Sequence, residues 1–208
     1  MVVGGTETIS NTVEWAMAEM ILNPRILEKV QQELDQVVGR DSLVEESHIG
    51  QLHYLRLVFK ETIRLHTPLP LMVPHCPSST STIGGYRVPK GTRVFVNVWA
   101  IHRNPRVWKA PQEFIPERFS GDDGQKWDFS GKEFDYFPFG SGRRMCAGIA
   151  MAERMTIYSL ALLLQAFDWK LPEGTQLDMD EKFGVVMKKA KPLVVIPTPR
   201  LTKPELYS

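Results

Sequence analysis

The chain has 208 residues, of which 43% are hydrophobic, and this is enough for a sizeable core. Its 25 Lys and Arg residues nearly balance its 24 Asp and Glu residues, and no basic block stands out, which argues against nucleic acid as the main partner. The two cysteines exclude a disulfide framework or a four-thiolate zinc site, and they favour a reducing compartment.

Helices are predicted throughout the first third of the chain. Asn11, with a glutamate three residues later, has the spacing of a capping box, which predicts a helix start. Asn23 and Pro24 predict the start of a second helix, and Gly39 predicts its end. Residues 53–65 predict a third helix, because apolar side chains fall on one side and a proline-rich run follows.

The middle of the chain predicts extended and irregular structure. Residues 83–99 favour a β-hairpin with its turn at residues 89–91, since valines alternate with other residues beyond that turn. Residues 104–142 are rich in Pro, Gly, Asp and aromatic residues. We therefore expect a long irregular segment that is packed rather than disordered.

The last part of the chain predicts a long helix and a closing pair of strands. Residues 147–165 are strongly apolar and predict the helix, and strands near Trp169 and at residues 193–196 are expected to pair. The predicted fold class is mostly α with a small β region. No signal peptide is recognisable, and no apolar run reaches the about 20 residues that span a bilayer.

Cys146 lies in the strongest motif of the chain, the run FGSGRRMCAG, which fits FxxGxRxCxG at every defined position. A thiolate that must stay ionised beside an apolar ligand needs N–H donors and positive potential, and a cysteine at the start of a helix has both. Gly142 allows a tight turn, and Gly148 keeps a Cβ away from a flat ligand. An isolated cysteine is more often a small buried hydrophobe, but five matching positions favour a ligand here.

Two weaker motifs accompany this run. Glu61 and Arg64 are three residues apart on the third predicted helix, which on a surface is usually an ion pair worth about 0.5 kcal/mol or less. Arg118 lies farther on, in a PERF sequence. Thr8 follows Gly4 by four residues, so its hydroxyl can bond that carbonyl and open the helix locally, although such a run is by itself more often a linker.

The three motifs together resemble those of cytochromes P-450, and the likeness runs in the family's order from Gly4 to about Pro199. The resemblance implies that residues 1–208 form the C-terminal, haem-binding part of a cytochrome P-450 fold. Members of the family are considerably longer. The preceding part, with its membrane anchor and the helices that cover the distal pocket, is therefore expected to be missing from this chain.

The resemblance implies a haem site. Cys146 would be the axial ligand of the iron of haem b, and Arg144 and His75 would bind the two propionates. Three further residues would contribute to haem binding: Phe139, which would cover the sulfur, and the glycines Gly142 and Gly148.

The resemblance also implies a structural cluster and a proton route. Glu61, Arg64 and Arg118 would form a buried cluster that holds the haem loop. Glu7 and Thr8 would deliver protons to iron-bound dioxygen. Removing one member of such a buried cluster strands the other charges, at a cost of about 3–5 kcal/mol.

The implied reaction is insertion of one oxygen atom of O2 into a C–H bond of a small lipophilic substrate, such as a terpenoid or a phenylpropanoid. Electrons would come from NADPH through cytochrome P-450 reductase, at the cytosolic face of the endoplasmic reticulum membrane. The amino-acid sequence is similar to that of plant microsomal members, including a group of sesquiterpene (cadinene-type) hydroxylases. The residues expected to contact substrate are Gly4, Gly5, Leu71, Met72, Val73, Phe183, Gly184 and Val185.

Three alternatives remain open at this point. The chain could be a truncated, non-catalytic fragment, or it could be a haem-thiolate enzyme that rearranges a hydroperoxide, although Glu7 and Thr8 count against the latter. A zinc or thiol enzyme is a more remote alternative, because no second ligand stands at a suitable spacing. Cys76 has no motif around it and is interpreted as structural. His102 lies in the run 98–105, which is interpreted as structural, and it is assigned no role.

Overall fold

A computed structural model describes residues 2–207, except for the side chains of Val2, Val3 and Asp123. Within this range the helices are α1 (Val2–Leu22), α2 (Pro24–Val37), α3 (His53–Leu65), α4 (Val98–Ile101), α5 (Gly121–Gln125) and α6 (Ile149–Ala166). The strands are β1 (Ser81–Ile83), β2 (Tyr86–Val88), β3 (Phe167–Lys170), β4 (Glu181–Lys182), β5 (Lys188–Lys189) and β6 (Ile196–Pro199). The prediction of a mostly α fold with a small β region is confirmed. None of the described helices is long and apolar enough to cross a membrane.

The core lies between the four longest helices. α1 packs on α2, α3 and α6, and α6 also packs on α2 and α3. On α6, the side chains of Ile157, Leu160, Ala161 and Leu164 recur at helical spacing, and all four are fully buried. Burying a side chain the size of leucine stabilises the fold by about 1.5–3 kcal/mol, so this stripe is a large part of what holds α6 in place.

Two predicted helix caps are not formed. Asn11 lies inside α1, where its side-chain amide donates to the carbonyl of Glu7 at 2.8 Å, so it does not cap a helix. α2 begins at Pro24 as predicted, but the side chain of Asn23 donates backwards to the carbonyl of Glu19 at 2.8 Å instead of capping α2. In both cases the amide finds a carbonyl four residues earlier on an existing helix, and a short sequence pattern cannot distinguish this from a cap.

A hairpin forms in this region, but it is not the predicted one, and its turn lies earlier in the chain. The turn is formed by Gly84 and Gly85, with φ of 56° and 84°, and joins β1 to β2. Two consecutive residues with positive φ suit the twist of a two-residue hairpin, and glycine adopts that conformation at little cost. Residues 89–91 therefore follow the hairpin, and the valine-rich part contributes a single bridge, between Val94 and His75.

The end of the chain closes against the helices. β3 pairs antiparallel with β6, which confirms the predicted closing pair within about three residues. Asp35 on α2 accepts hydrogen bonds from Arg200, at 2.8 Å, and from Arg40, at 2.7 Å. Burial raises the pKa of Asp35, but the bonds and charges of the two arginines outweigh burial and leave this pKa below its usual 3.8.

Candidate functional site

The cysteine of the main motif lies on a short loop between a 3₁₀ turn at Gly142–Arg144 and α6. The N–H of Cys146 donates to the carbonyl of Phe139 at 2.9 Å, and the N–H of Gly148 donates to the Cys146 sulfur at 3.3 Å. Cys146 is exposed, so its thiol can reach a ligand. α6 begins at Ile149, two residues later than predicted, and the sulfur therefore lies just before the helix rather than in its first turn.

The shape of this loop depends on glycines, and one of them was not recognised from the sequence. Gly140 and Gly142 have φ of 80° and 70°, a region that side-chain-bearing residues rarely adopt. Gly131 supports the loop from behind, because a Cβ there would lie 2.6 Å from the carbonyl oxygen of Gly140. The hydroxyl of Ser141 also donates to the carbonyl of Gly131, at 2.5 Å. Gly131 lies in an irregular segment without a motif, so its spacing carried no signal.

The other residues expected around the cysteine are distributed as follows. Phe139 is half-buried, and its ring packs edge-on against Phe129 with 5.0 Å between centroids. Arg144 is exposed in the same loop as the cysteine. His75 is exposed and held by its backbone, which exchanges two hydrogen bonds with Val94 at 2.9 and 2.8 Å.

The structure brings Glu61, Arg64 and Arg118 into one buried cluster. Arg64 donates to both oxygens of Glu61, at 2.6 and 2.8 Å, and Arg118 donates to the Oε1 atom at 3.1 Å. The backbone N–H of Ile115 provides a fourth donor, at 2.8 Å. The side chains of Glu61 and Arg64 are fully buried and that of Arg118 is 9% exposed, so this is not a surface ion pair.

The two arginines also hold an irregular segment, residues 102–113, by its carbonyl groups. Arg64 donates to the carbonyls of His102 and Pro111, at 2.8 and 2.9 Å. Arg118 donates to the carbonyl of Ala110 at 2.6 Å, and Ala110 has a strained φ of 45°. Each guanidinium has five donors in a rigid plane, so it can bind a carboxylate and several carbonyls at once.

His102 has a connecting role that the sequence did not predict. Its ring is fully buried, its Nε2 accepts from the N–H of Phe137 at 3.1 Å, and its Nδ1 lies 3.1 Å from the hydroxyl of Thr67. Burial, followed by the charges of Arg64 and Arg103, lowers the pKa of His102 to about 3. The neutral ring therefore links the end of α3 to the segment that leads into the cysteine loop.

The first turns of α1 carry the third motif. The hydroxyl of Thr8 donates to the carbonyl of Gly4 at 2.6 Å, which is the hydrogen bond that the spacing predicted. The expected local opening is not observed, because α1 continues without interruption past these residues. Glu7 pairs with Lys188 of β5 at 3.2 Å, and both side chains are about half exposed.

Two apolar segments were expected to contact substrate, and both are accessible. The first follows α3, where Leu71 and Met72 are half-buried and Val73 is exposed; Met72 has a φ of 55°, which is unusual for a residue with a long side chain. The second forms the tip of the β4–β5 hairpin, where Phe183 and Val185 are 68% and 83% exposed. Exposed apolar groups of this kind usually mark a surface that something covers.

The family model for cytochrome P450 matches residues 1–196. The chain belongs to the cytochrome P450 family. Members of this family use haem and take electrons from a redox partner. Cytochrome P450 proteins of plants are among its relatives, which confirms the predicted plant type.

Three relatives and one solved structure show how far this cytochrome P450 chain extends. A flavonoid 3'-monooxygenase of Petunia hybrida is 49% identical over 203 residues, which cover 96% of this chain and 40% of the relative. A flavonoid 3',5'-hydroxylase of Solanum melongena (48%) and cytochrome P450 76C1 of Arabidopsis thaliana (48%) each match 95% of the chain, and 39% and 38% of their own lengths. A zebra fish cytochrome P450 solved with abiraterone has a TM-score of 0.84 at 36% identity and matches 95% of this chain and 46% of its own.

The chain thus spans about 40% of the length of the curated relatives it matches. Flavonoid hydroxylases and P450 76C proteins are prominent among these relatives. The closer likeness to sesquiterpene hydroxylases stays a prediction, and so do the roles of the individual site residues.

Proposed function

We propose that this cytochrome P450 acts as a haem-thiolate monooxygenase that inserts one oxygen atom of O2 into a C–H bond of a small lipophilic compound. The observation that carries the proposal is the exposed thiol of Cys146, which accepts an N–H at 3.3 Å on a glycine-shaped loop. The names of the relatives favour a flavonoid or another phenylpropanoid as substrate. A terpenoid remains the other substrate class that we consider.

The residues of the cysteine loop fit a haem b. Cys146 offers one soft donor atom, and the N–H of Gly148 donates to this sulfur at 3.3 Å. No described atom lies within 4 Å of a Cβ placed on Gly142, so this side of the loop is open to a flat ligand. Arg144 and His75 would bind the propionates, and Phe139 would shield the sulfur from water. Haem held by these residues would supply the redox chemistry of O2 activation.

Protons would arrive along the start of α1. The hydroxyl of Thr8 is oriented by its bond to the carbonyl of Gly4, so its lone pairs can accept a hydrogen bond from water. Glu7 would take up a proton from solvent and pass it on, and its carboxylate pairs with Lys188 at 3.2 Å. Apart from its chain neighbours and the nearby backbone of α1, a Cβ on Gly4 or on Gly5 would meet no described atom within 4 Å, which leaves room there for substrate.

Two apolar segments would line the rest of the substrate site. They are the half-exposed run after α3 and the tip of the β4–β5 hairpin, whose side chains suit an uncharged ring system. The residues of these segments that contact substrate would be Leu71, Met72 and Val73, and Phe183, Gly184 and Val185.

Electrons would come from NADPH through cytochrome P450 reductase, on the cytosolic face of the endoplasmic reticulum.

A carbon monoxide difference spectrum of the reduced, haem-loaded chain tests the proposal. Cys146→Ser should abolish the red-shifted Soret band of a thiolate ligand, whereas Cys76→Ser, which removes the other exposed thiol, should leave the band unchanged. A band that persists in Cys146→Ser would overturn the ligand assignment. Product formation that needs neither O2 nor the reductase would instead indicate hydroperoxide rearrangement, and no band in the unsubstituted chain would indicate a non-catalytic fragment.

A further inference from the structure

The β4–β5 hairpin is too short to hold its own shape. Its ladder has two residue pairs, Glu181 with Lys189 and Lys182 with Lys188, and a two-stranded hairpin of this size is unstable in water. Its tip nevertheless carries exposed apolar side chains that the proposed function assigns to the substrate site. Contacts outside the ladder must therefore set the position of this tip.

A stacked pair of rings lies at the base of the hairpin. Trp15 of α1 and His66, which ends α3, are both buried, and their rings are parallel within 4° with 3.8 Å between centroids. The Nε2 atom of His66 lies 2.7 Å from a carboxylate oxygen of Glu19, and its Nδ1 atom lies 3.3 Å from one of Glu181. Each ring nitrogen of His66 therefore faces one carboxylate, to which it can donate a hydrogen bond when it carries a proton.

Both strands of the hairpin dock on this pair. Glu181 of β4 reaches His66 by the hydrogen bond just described, and the ammonium group of Lys189 of β5 lies 4.6 Å from the centre of the Trp15 ring. The backbone adds one further contact, since the N–H of Met187 donates to the carbonyl of Pro68 at 2.9 Å. The base of the hairpin is thus attached to α1 and to the end of α3.

Three side chains outside the hairpin hold Glu181. Besides His66, it accepts from the indole N–H of Trp99 at 3.0 Å and from Arg103 at 3.1 Å. Burial raises the pKa of Glu181, but these hydrogen bonds and the charge of Arg103 keep it below its usual value. The carboxylate therefore stays ionised, and charge-assisted bonds of this kind are stronger than neutral ones.

The same hairpin reaches the first turns of α1. Lys188, next to the docked Lys189, pairs with Glu7 at 3.2 Å, one residue before Thr8. The attachment of the hairpin's base therefore also determines the position of its tip relative to α1. A rotation or loosening at His66 would move Phe183 and Val185 relative to Thr8.

We propose that His66 is a positioning residue of the candidate substrate site: with Glu19 and Glu181 it attaches the β4–β5 hairpin to α1 and so sets the place of Phe183 and Val185. His66 touches neither substrate nor cofactor in this role. The link from the hairpin to substrate rests on the proposed function, whereas the attachment itself does not depend on haem.

Amide hydrogen exchange of the full chain without haem tests the attachment. His66→Phe keeps a ring that stacks on Trp15 but removes both carboxylate bonds, so exchange at Met187 and Ala190 should accelerate by about tenfold or more. The N–H of Ala190 donates to Asp180 across the base of the hairpin at 2.7 Å. Exchange at Arg200, whose N–H bonds the carbonyl that ends α6, should stay unchanged. Unchanged rates at the hairpin, or equal acceleration everywhere, would overturn the proposal.

Two further variants keep the test informative. His53→Phe makes the same substitution at the exposed first residue of α3 and should leave the hairpin unaffected. Glu181→Gln keeps the shape of the side chain and should accelerate the same amides as His66→Phe. In the double variant His66→Phe/Glu181→Gln, the acceleration of exchange at these amides should not exceed the product of the two single-variant accelerations. It should be smaller than that product if the two side chains act as a unit. Acceleration in His53→Phe, or none in Glu181→Gln, would count against the attachment.

Ligand binding separates positioning from general support of the fold. In the haem-loaded chain, His66→Phe should weaken the binding of flavone, an uncharged flavonoid used as the probe, by about fivefold or more. The carbon monoxide band should keep its position and height. Unchanged flavone affinity, or loss of the band together with affinity, would overturn the positioning role. A missing band in the unsubstituted chain would instead refute the proposed function, and the exchange rates would still decide the attachment.

Discussion

Replacing Glu61 by Gln should destabilise the chain far more than a typical glutamate substitution. The carboxylate accepts four hydrogen bonds, two from Arg64 and one each from Arg118 and the backbone of Ile115, and its side chain is fully buried. The amide of Gln keeps the shape but loses the charge and turns an N–H2 group towards an arginine. Two guanidinium groups are then left with their positive charges poorly compensated inside the protein.

The magnitude follows from what becomes unpaired. Breaking a buried ion pair by removing one partner costs about 3–5 kcal/mol, because the remaining charge stays buried. We expect a value near the upper end of this range, since one carboxylate serves two arginines whose side chains are 0% and 9% exposed. The carbonyl bonds that each arginine makes to residues 102–113 compensate only part of this loss.

Urea unfolding of the chain measures the effect. With a slope of about 2 kcal/mol per molar urea, a loss of about 5 kcal/mol lowers the midpoint by about 2.5 M at constant slope. Glu46→Gln is the matched control, because Glu46 pairs with Arg154 at 2.8 Å but both side chains are about 70% exposed. That pair should contribute about 0.5 kcal/mol or less.

Equal midpoints for Glu61→Gln and Glu46→Gln would refute the reasoning, since burial would then make no difference to the cost. A second check uses Arg118→Met. If the arginine is destabilised by the lost carboxylate, the double variant Glu61→Gln/Arg118→Met should cost less than the sum of the single variants. Additive costs would show that the two side chains do not interact energetically.

Gly131→Ala should lower the free energy of unfolding by about 2 kcal/mol more than Gly174→Ala. Both glycines have positive φ, but a Cβ on Gly131 would lie 2.6 Å from the carbonyl oxygen of Gly140, whereas one on Gly174 would have open space among the described residues. Their urea midpoints check this, and similar midpoints would contradict it. Ala110→Gly should raise the free energy of unfolding by up to about 1 kcal/mol, since it relieves a φ of 45°, and a lower Tm would be the opposite result. Because the pKa of Asp35 is lowered on folding, its contribution to the free energy of unfolding is complete above about pH 4 and is lost as the pH falls through the folded pKa. Asp35→Asn should therefore flatten the acid limb of the curve of stability against pH. An unchanged acid limb would count against this role of Asp35.

Predictions succeeded where the cause is local. α2 and α3 match their predicted bounds closely because apolar periodicity, a first-turn proline and a terminal glycine all act within a few residues. The hydrogen bond from Thr8 to Gly4 follows in the same way from a four-residue spacing on a helix. The hairpin turn was misplaced because two glycine-containing turns lie close together, and local pattern alone does not rank them.

Local pattern also misjudged polar residues inside helices. Asn11 looks like a cap because Asn is favoured there, yet α1 is already helical before it and offers a carbonyl to bond instead. Local chemistry permits both conformations of such a residue. The choice depends on whether apolar side chains farther along, such as Trp15, are buried by other segments.

The sequence by itself determined the family, the helical fold class and the cysteine loop, because these depend on residue identity and on short spacings around Cys146. Tertiary structure alone decided the contacts of His102, Gly131 and His66. His102 meets Phe137 across 35 residues, and His66 meets Glu181 across 115. No short pattern encodes such contacts, because they arise only when separate segments pack into one core and buried polar groups must find partners there.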